Sequence, residues 1–142
     1  MKVFTIGYGA FKGKDAKAEF IKVLKENKVK TLVDVRLHPE KAYVGTWVKA
    51  KTPGKGINGW LPPEDINYEW VEELGNKFLD DPEWKAKFTE YMKKNGNALF
   101  KQLEKFNQPI CLMCAEAKVE ECHRKLIADY LKEHHSCTVK HL

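Results

Sequence analysis

The chain reads as an α/β protein: a single-domain, three-layer, Rossmann-like fold with a mostly parallel sheet. Three observations predict this. Short β-branched and aromatic runs alternate with segments of helical periodicity, an order that calls for parallel strands joined by right-handed crossovers. Three of the runs are apolar enough to be core strands covered on both faces. The 142 residues, 43% hydrophobic and 32% charged, suit one soluble domain (1–142) with a real core and no dividing linker.

The elements follow in order. Val3-Phe-Thr-Ile6 is a strand stopped by the turn Gly7-Tyr8-Gly9. Asp15 is placed to cap a helix running to about Asn27, with Phe20, Ile21 and Leu24 on one face. Thr31-Leu-Val-Asp-Val35 is the second buried strand, ended by Arg36. Residues 37–66 form a long connection punctuated by Pro39, Gly45, Pro53, Gly54, Gly56, Gly59, Pro62 and Pro63, with a short helical turn near Thr46–Ala50. Connections this long are usually functional, and this one is a candidate lid. Ile66 to Trp70 alternates like a short strand, and Leu74-Gly75-Asn76 turns the chain.

Asp81-Pro82 is a cap followed by a proline suited to a first helical turn. Trp84, Phe88, Tyr91 and Met92 then recur at helical spacing, a stripe that reads as core. Gly96 is expected to end that helix, with a separate one over Leu99–Phe106. Pro109 to Cys114 is the most apolar strand, Glu120 to about His134 is helical, and Cys137 to His141 closes the sheet.

The net charge of +5 is unevenly spread. Residues 1–60 hold thirteen Lys/Arg against five Asp/Glu, and the remainder holds twelve against fifteen. That split suits an anionic partner on the N-terminal half, or a solvated lysine-rich surface. No apolar stretch is long enough to span a membrane, and no leader precedes the first strand. Four cysteines without a leader read as thiols or ligands, not as a disulfide framework, and imply a cytoplasmic location.

The chemistry gathers at Cys114-Ala-Glu116 and Cys122-His123-Arg124. In a parallel sheet Cys114 ends its strand, and Cys122 to Arg124 open the following helix, where backbone N–H groups favour anions and thiolates. Asp34 and Arg36 end the second strand on the same edge, and Gly7, Tyr8 and Gly9 end the first. The convergence of three strand ends is the strongest functional signal in the chain.

Each group has a plainer alternative. Cys114 is a nucleophile or a small core hydrophobe. Arg124 binds a ligand, or pairs with Asp34 or Glu116. His123 is a ligand contact or a hydrogen-bonded core residue. Gly7 and Gly9 cradle a phosphate or merely turn the chain, and Tyr8 stacks on a ring or plugs the turn. Zinc is disfavoured because Cys111 and Cys114, three apart on a strand, point to opposite faces, and no metal ligand is assigned. A Cys114–Cys122 redox pair across the loop stays open, and no cofactor follows from the residues.

Thr5-Ile-Gly-Tyr-Gly9, Leu32-Val-Asp-Val-Arg36 with Pro39, Leu74-Gly75, Tyr91-Met92, Cys114-x-Glu116-x5-Cys122-His123-Arg124 and the closing His141-Leu142 occur in order. Together they resemble domain of unknown function family 488, small bacterial and archaeal α/β proteins. The resemblance covers essentially the whole chain and implies a small cytoplasmic α/β domain with these signature residues, but it supplies no reaction. This chain departs from the pattern where Lys118-Val119 fills the space that many relatives give to Asp-Pro, which removes an obvious cap before Cys122. Asn76 stands where a second glycine is common.

Three functions fit. The first is a pocket for a phosphorylated or nucleotide-like ligand at the strand carboxyl ends. Gly7, Tyr8, Gly9, Arg36, Cys122, His123 and Arg124 would bind there, and Cys114, Glu116 and Asp34 would be the catalytic groups of a hydrolase or transferase with Cys114 as nucleophile. The second is a nucleic-acid-binding module using the basic 36–60 loop, whose five Lys/Arg interleave with Tyr43, Trp47 and Trp60. The third is a thiol redox or metal-binding protein.

Overall fold

The computed structural model describes residues 1–52 and 55–142; Pro53 and Gly54 of the long connection lie outside the described residues. Five strands are described: β1 (Lys2–Gly7), β2 (Thr31–Asp34), β3 (Asn67–Trp70), β4 (Ile110–Cys114) and β5 (Thr138–His141). They form one sheet in the order β3-β2-β4-β1-β5, every neighbouring pair parallel. The helices are α1 (Ala16–Glu26), α2 (Ile57–Trp60), α3 (Trp84–Glu104) and α4 (His123–His135). No described helix is long and apolar enough to cross a membrane.

The strand pleat separates two cores. Phe4, Ile6, Leu32, Cys111 and Met113 face Phe20 and Leu24 of α1. Val3, Val33, Leu112 and Cys114 face Phe88 and Met92 of α3 and Ile127 and Leu131 of α4. This is the three-layer α/β arrangement expected from sequence. Cys111 and Cys114 fall in opposite cores, as their spacing on a strand demands.

The register aligns the strand ends. Gly7 lies beside Cys114, and Asp34 lies beside Met113, so β1, β4 and β2 deliver their carboxyl ends side by side. β4 sits between β1 and β2, which are joined through α1. Chain connections therefore diverge around β4, and such a divergence opens a crevice at the strand ends of an open α/β sheet.

Two helix boundaries differ from the sequence expectation. Gly96 does not end a helix: α3 runs unbroken from Trp84 to Glu104. A Cβ at position 96 would fall within the Tyr130 ring of α4, so glycine lets the two helices close together. An alanine there gains up to about 1 kcal/mol in helix propensity, but overpacking costs about 1–3 kcal/mol. Gly96→Ala is expected to lower the urea midpoint; an unchanged or raised midpoint would contradict the close packing. Helix α4 begins at His123 rather than Glu120, after a 3-10 turn over Val119–Glu121. Its cap is the Cys122 sulfur, which accepts the Arg124 N–H at 3.4 Å.

The long connection is fastened to the α1 face. Trp47 is buried there against Phe20, Trp60 and the Tyr8 ring. Trp60 donates its indole N–H to the Thr46 carbonyl at 2.8 Å. The helical turn expected at Thr46–Ala50 is a 3-10 turn over Gly45–Trp47, and a short helix, α2, follows. Trp47 and Trp60 are thus spent on anchoring, while Tyr43 stays fully exposed.

Candidate functional site

Asp34 and Arg36 end β2 as a closed pair. Asp34 is 0% exposed, and its carboxylate accepts from Arg36 Nε at 2.9 Å and Nη2 at 2.7 Å. It also accepts the Arg36 backbone N–H at 3.0 Å and the Tyr68 hydroxyl of β3. Burial works against the Arg36 charge, but the hydrogen bond and charge of Asp34 more than offset it, so the guanidinium is held protonated more firmly than usual. Burial, then Asp34, pushes the Tyr68 phenol well above its ordinary range. Arg36 is 7% exposed, lies over the Tyr8 ring, and has one nitrogen, Nη1, with no partner among the described residues.

Arg124 is buried differently. It is 1% exposed and has no carboxylate within ion-pair distance among the described residues. Asp34, one of the partners considered from sequence, belongs to Arg36 instead. Glu116 offers its backbone carbonyl, not its carboxylate: Arg124 Nη1 donates to that oxygen at 2.7 Å and to Cys114 Sγ at 3.1 Å. Nη2 reaches the Ala117 carbonyl at 3.5 Å, and Nε has no partner among the described residues. Burial lowers the pKa of this guanidinium.

The loop from Ala115 to Glu121 brings Cys122 back over the end of β4, and Cys114 and Cys122 are joined as a disulfide. Cysteine composition reads all four as thiols or ligands, and the structure corrects that for this pair. A cap position and a strand end eight residues apart meet because the loop folds back on itself. Cys111 and Cys137 are free and buried, and burial raises both thiols above their ordinary range.

His123 is held by the Val35 carbonyl, which accepts from Nε2 at 2.7 Å. A carbonyl only accepts, so the neutral ring carries its proton on Nε2 and leaves Nδ1 with a lone pair, 3.8 Å from Cys122 Sγ. Burial pushes its pKa down to about 4, against the pull of the Val35 and Leu74 carbonyls. Between pH 6.5 and about 4 the unfolded chain therefore binds a proton that the folded one refuses. Stability present above pH 6.5 is lost as pH falls through about 4, by roughly 3 kcal/mol. His123→Gln, which can still donate to Val35, is expected to remove that part of the slope in urea titrations; an unchanged slope would contradict the assignment.

These groups surround a cavity of about 260 Å³ at the strand ends. Tyr8, Arg36, Cys114, Glu116, Cys122 and His123 line it, as the convergence of strand ends predicts. Lys41, at the start of the long connection, adds positive charge, His38 beside it adds an imidazole, and Glu121 joins Glu116 on the acidic side. Asn76 and Trp84 also line the cavity although sequence singled out neither as a site residue. Trp84 was hidden in a stripe that reads as core, and Asn76 in a turn.

Four expected site residues sit behind the wall instead. Asp34 and Arg124 support Arg36 and Cys114 from beneath. Gly7 and Gly9 face the loop after β4: a Cβ at Gly7 would fall on the Glu116 carbonyl oxygen and lie 3.0 Å from Arg124 Nη1. The Gly9 N–H is given to the Ala115 carbonyl at 2.9 Å. The two glycines of the Gly-Tyr-Gly turn thus seat the loop that carries Glu116, while Tyr8 between them lines the cavity. Gly7→Ala is expected to cost about 1–3 kcal/mol in urea unfolding by displacing that loop; a neutral effect would contradict this packing. No group of three or more His, Cys, Asp or Glu able to hold a metal occurs among the described residues.

No curated protein and no solved structure matches the chain. A family model does match, over residues 16–131, which is most of the sequence and takes in Asp34, Arg36, Cys114, Glu116 and the Cys122-His123-Arg124 run. The chain belongs to the family described as Domain of unknown function DUF488.

Proposed function

We propose that the cavity binds a small anionic ligand, a carboxylate or a phosphate, through Arg36, and that Cys114 acts on it as a nucleophilic thiolate. The observation that carries this is Arg36, a guanidinium lining a cavity whose wall also holds Cys114 and whose Nη1 has no partner among the described residues. Buried polar nitrogens are nearly always partnered, so a ligand oxygen drawn to this guanidinium would satisfy a donor that the chain leaves free. Lys41 adds to the attraction.

The role of Cys114 follows from Arg124. A buried cation is ordinarily paired with an anion. The ionisable group in hydrogen-bond contact with this one is the Cys114 sulfur. In the reduced protein a Cys114 thiolate supplies the missing countercharge, and the same contact activates it as a nucleophile. Asp34 fixes Arg36 and takes no part in proton transfer. Glu116 reaches the cavity rim, placed to exchange a proton with a bound ligand. The nucleic-acid alternative keeps Lys49, Lys51, Lys55 and Tyr43 as its contacts, and a salt-dependent binding assay tests it.

The test uses reduced protein carrying Cys122→Ser, so that Cys114 is the one reactive cavity thiol. Cys114 is expected to react about tenfold faster with iodoacetate than with neutral iodoacetamide, because the pocket concentrates anions. Millimolar phosphate should protect it from iodoacetate. Faster reaction with iodoacetamide, together with no protection, would contradict the reading.

A further inference from the structure

Cys122 sits where a second sulfur can finish what Cys114 begins. Its sulfur is bonded to that of Cys114, both line the cavity, and both are nearly buried, at 3% and 4% exposure. The N-terminus of α4 points its amides at Cys122, whose sulfur accepts the Arg124 N–H. His123 Nδ1, lying 3.8 Å from that sulfur with a lone pair, orients the Cys122 thiol by accepting its S–H. The helix end thus favours a Cys122 thiolate, and the shared cavity sets it beside Cys114.

We propose that Cys114 and Cys122 form a catalytic dithiol that reduces a small disulfide carrying a carboxylate or phosphate, with Cys114 attacking and Cys122 resolving. This rests on the anionic pocket and the Cys114 thiolate argued above. In the first step the Cys114 thiolate attacks one sulfur of the substrate, a Cys114–substrate S–S bond forms, and the substrate S–S bond breaks. The departing thiolate takes a proton from solvent. In the second step Cys122 loses its proton to solvent and its thiolate attacks Cys114 Sγ. The mixed disulfide breaks, and the second substrate thiolate leaves and takes a proton from solvent. The substrate gains two electrons and becomes two thiols; the protein loses two and holds the Cys114–Cys122 bond. An external thiol returns the protein to the dithiol by the reverse exchange.

Arg124 tunes the balance of the pair. Its guanidinium is matched by the Cys114 thiolate in the dithiol form and unmatched in the disulfide form. The dithiol is therefore favoured electrostatically: simple thiols re-reduce the pair readily, and the reduction of a substrate is driven by an excess of that substrate.

The fully reduced wild-type chain is mixed with a large excess of dithiodiglycolate, an anionic disulfide, and in parallel with the same excess of cystamine, a cationic one. Released thiols and the intact mass of the protein are followed. The wild type should release two thioglycolates per chain and end with Cys114 bonded to Cys122. Cys122→Ser should stop at a stable adduct on Cys114 with one thiol released. Cystamine should react about tenfold more slowly or less. A wild type that stalls as the Cys114 adduct, with the charge preference intact, overturns the resolving role of Cys122 and leaves the anionic pocket standing. A Cys114 that fails to react, or reacts equally fast with cystamine, overturns the pocket reading as well. The wild-type chain decides between these outcomes even where the serine variant does not fold.

Discussion

Replacing Asp34 by alanine is expected to cost the fold about 3–5 kcal/mol, the range for breaking a buried ion pair from one side. The carboxylate is 0% exposed and takes four hydrogen bonds, three from Arg36 and one from Tyr68. Its loss strands a guanidinium that already lacks one partner. The cost comes from the charge left behind more than from the attraction removed. A double variant, Asp34→Leu with Arg36→Met, is therefore expected to recover most of the lost stability. It should also abolish phosphate protection of Cys114, which separates the structural part of the pair from its binding part. Urea unfolding measures the first and alkylation kinetics the second. A double variant as unstable as Asp34→Ala would mean that Arg36 stabilises the fold independently of its partner.

The second large effect is expected from Arg124→Met. An opposite charge within about 4–6 Å moves an ionisation by 1–3 units, so removing this one should slow Cys114 alkylation at pH 6 roughly a hundredfold. Arg124→Lys should restore part of that rate, because it returns the charge without the fork. The stability change is expected to be small, about 1 kcal/mol, since the guanidinium has no carboxylate partner to orphan and the carbonyls it leaves belong to the exposed residues Glu116 and Ala117. A stable Arg124→Met protein that alkylates at the wild-type rate would remove Arg124 from the chemistry.

Much of the fold was legible because two-sided burial writes itself as apolar runs. Val3–Ile6, Thr31–Val35 and Pro109–Cys114 are read without knowing their neighbours, and their parallel pairing follows from the helical connections. Gly96 was misread for a physical reason. Its local cost to a helix is real, but the approach of Tyr130 from α4, set by tertiary packing, outweighs it. The late start of α4 likewise depends on a sulfur acting as cap, which residue preferences do not anticipate.

At the site, the meeting of three strand ends can be read from topology, and the structure sets Arg36, Cys114 and Cys122 around one cavity there. Which residues line that cavity and which support it depends on the path of residues 115–121. That path puts Glu116 over Gly7 and turns an apparent phosphate cradle into a seat for a loop. The partners of the two arginines depend on the strand order. With β3 beside β2, Tyr68 completes the shell of Asp34, and Arg124 is left to Cys114.

The account turns on Cys114 being the counterion of Arg124, and the pH dependence of its alkylation tests this most directly. In reduced Cys122→Ser protein, with Cys111 and Cys137 held protonated by burial, the iodoacetamide rate at Cys114 is followed from pH 6 to pH 8. A thiolate paired with Arg124 reacts nearly as fast at pH 6 as at pH 8. A thiol of ordinary acidity slows roughly a hundredfold across that interval, and that result would contradict the account.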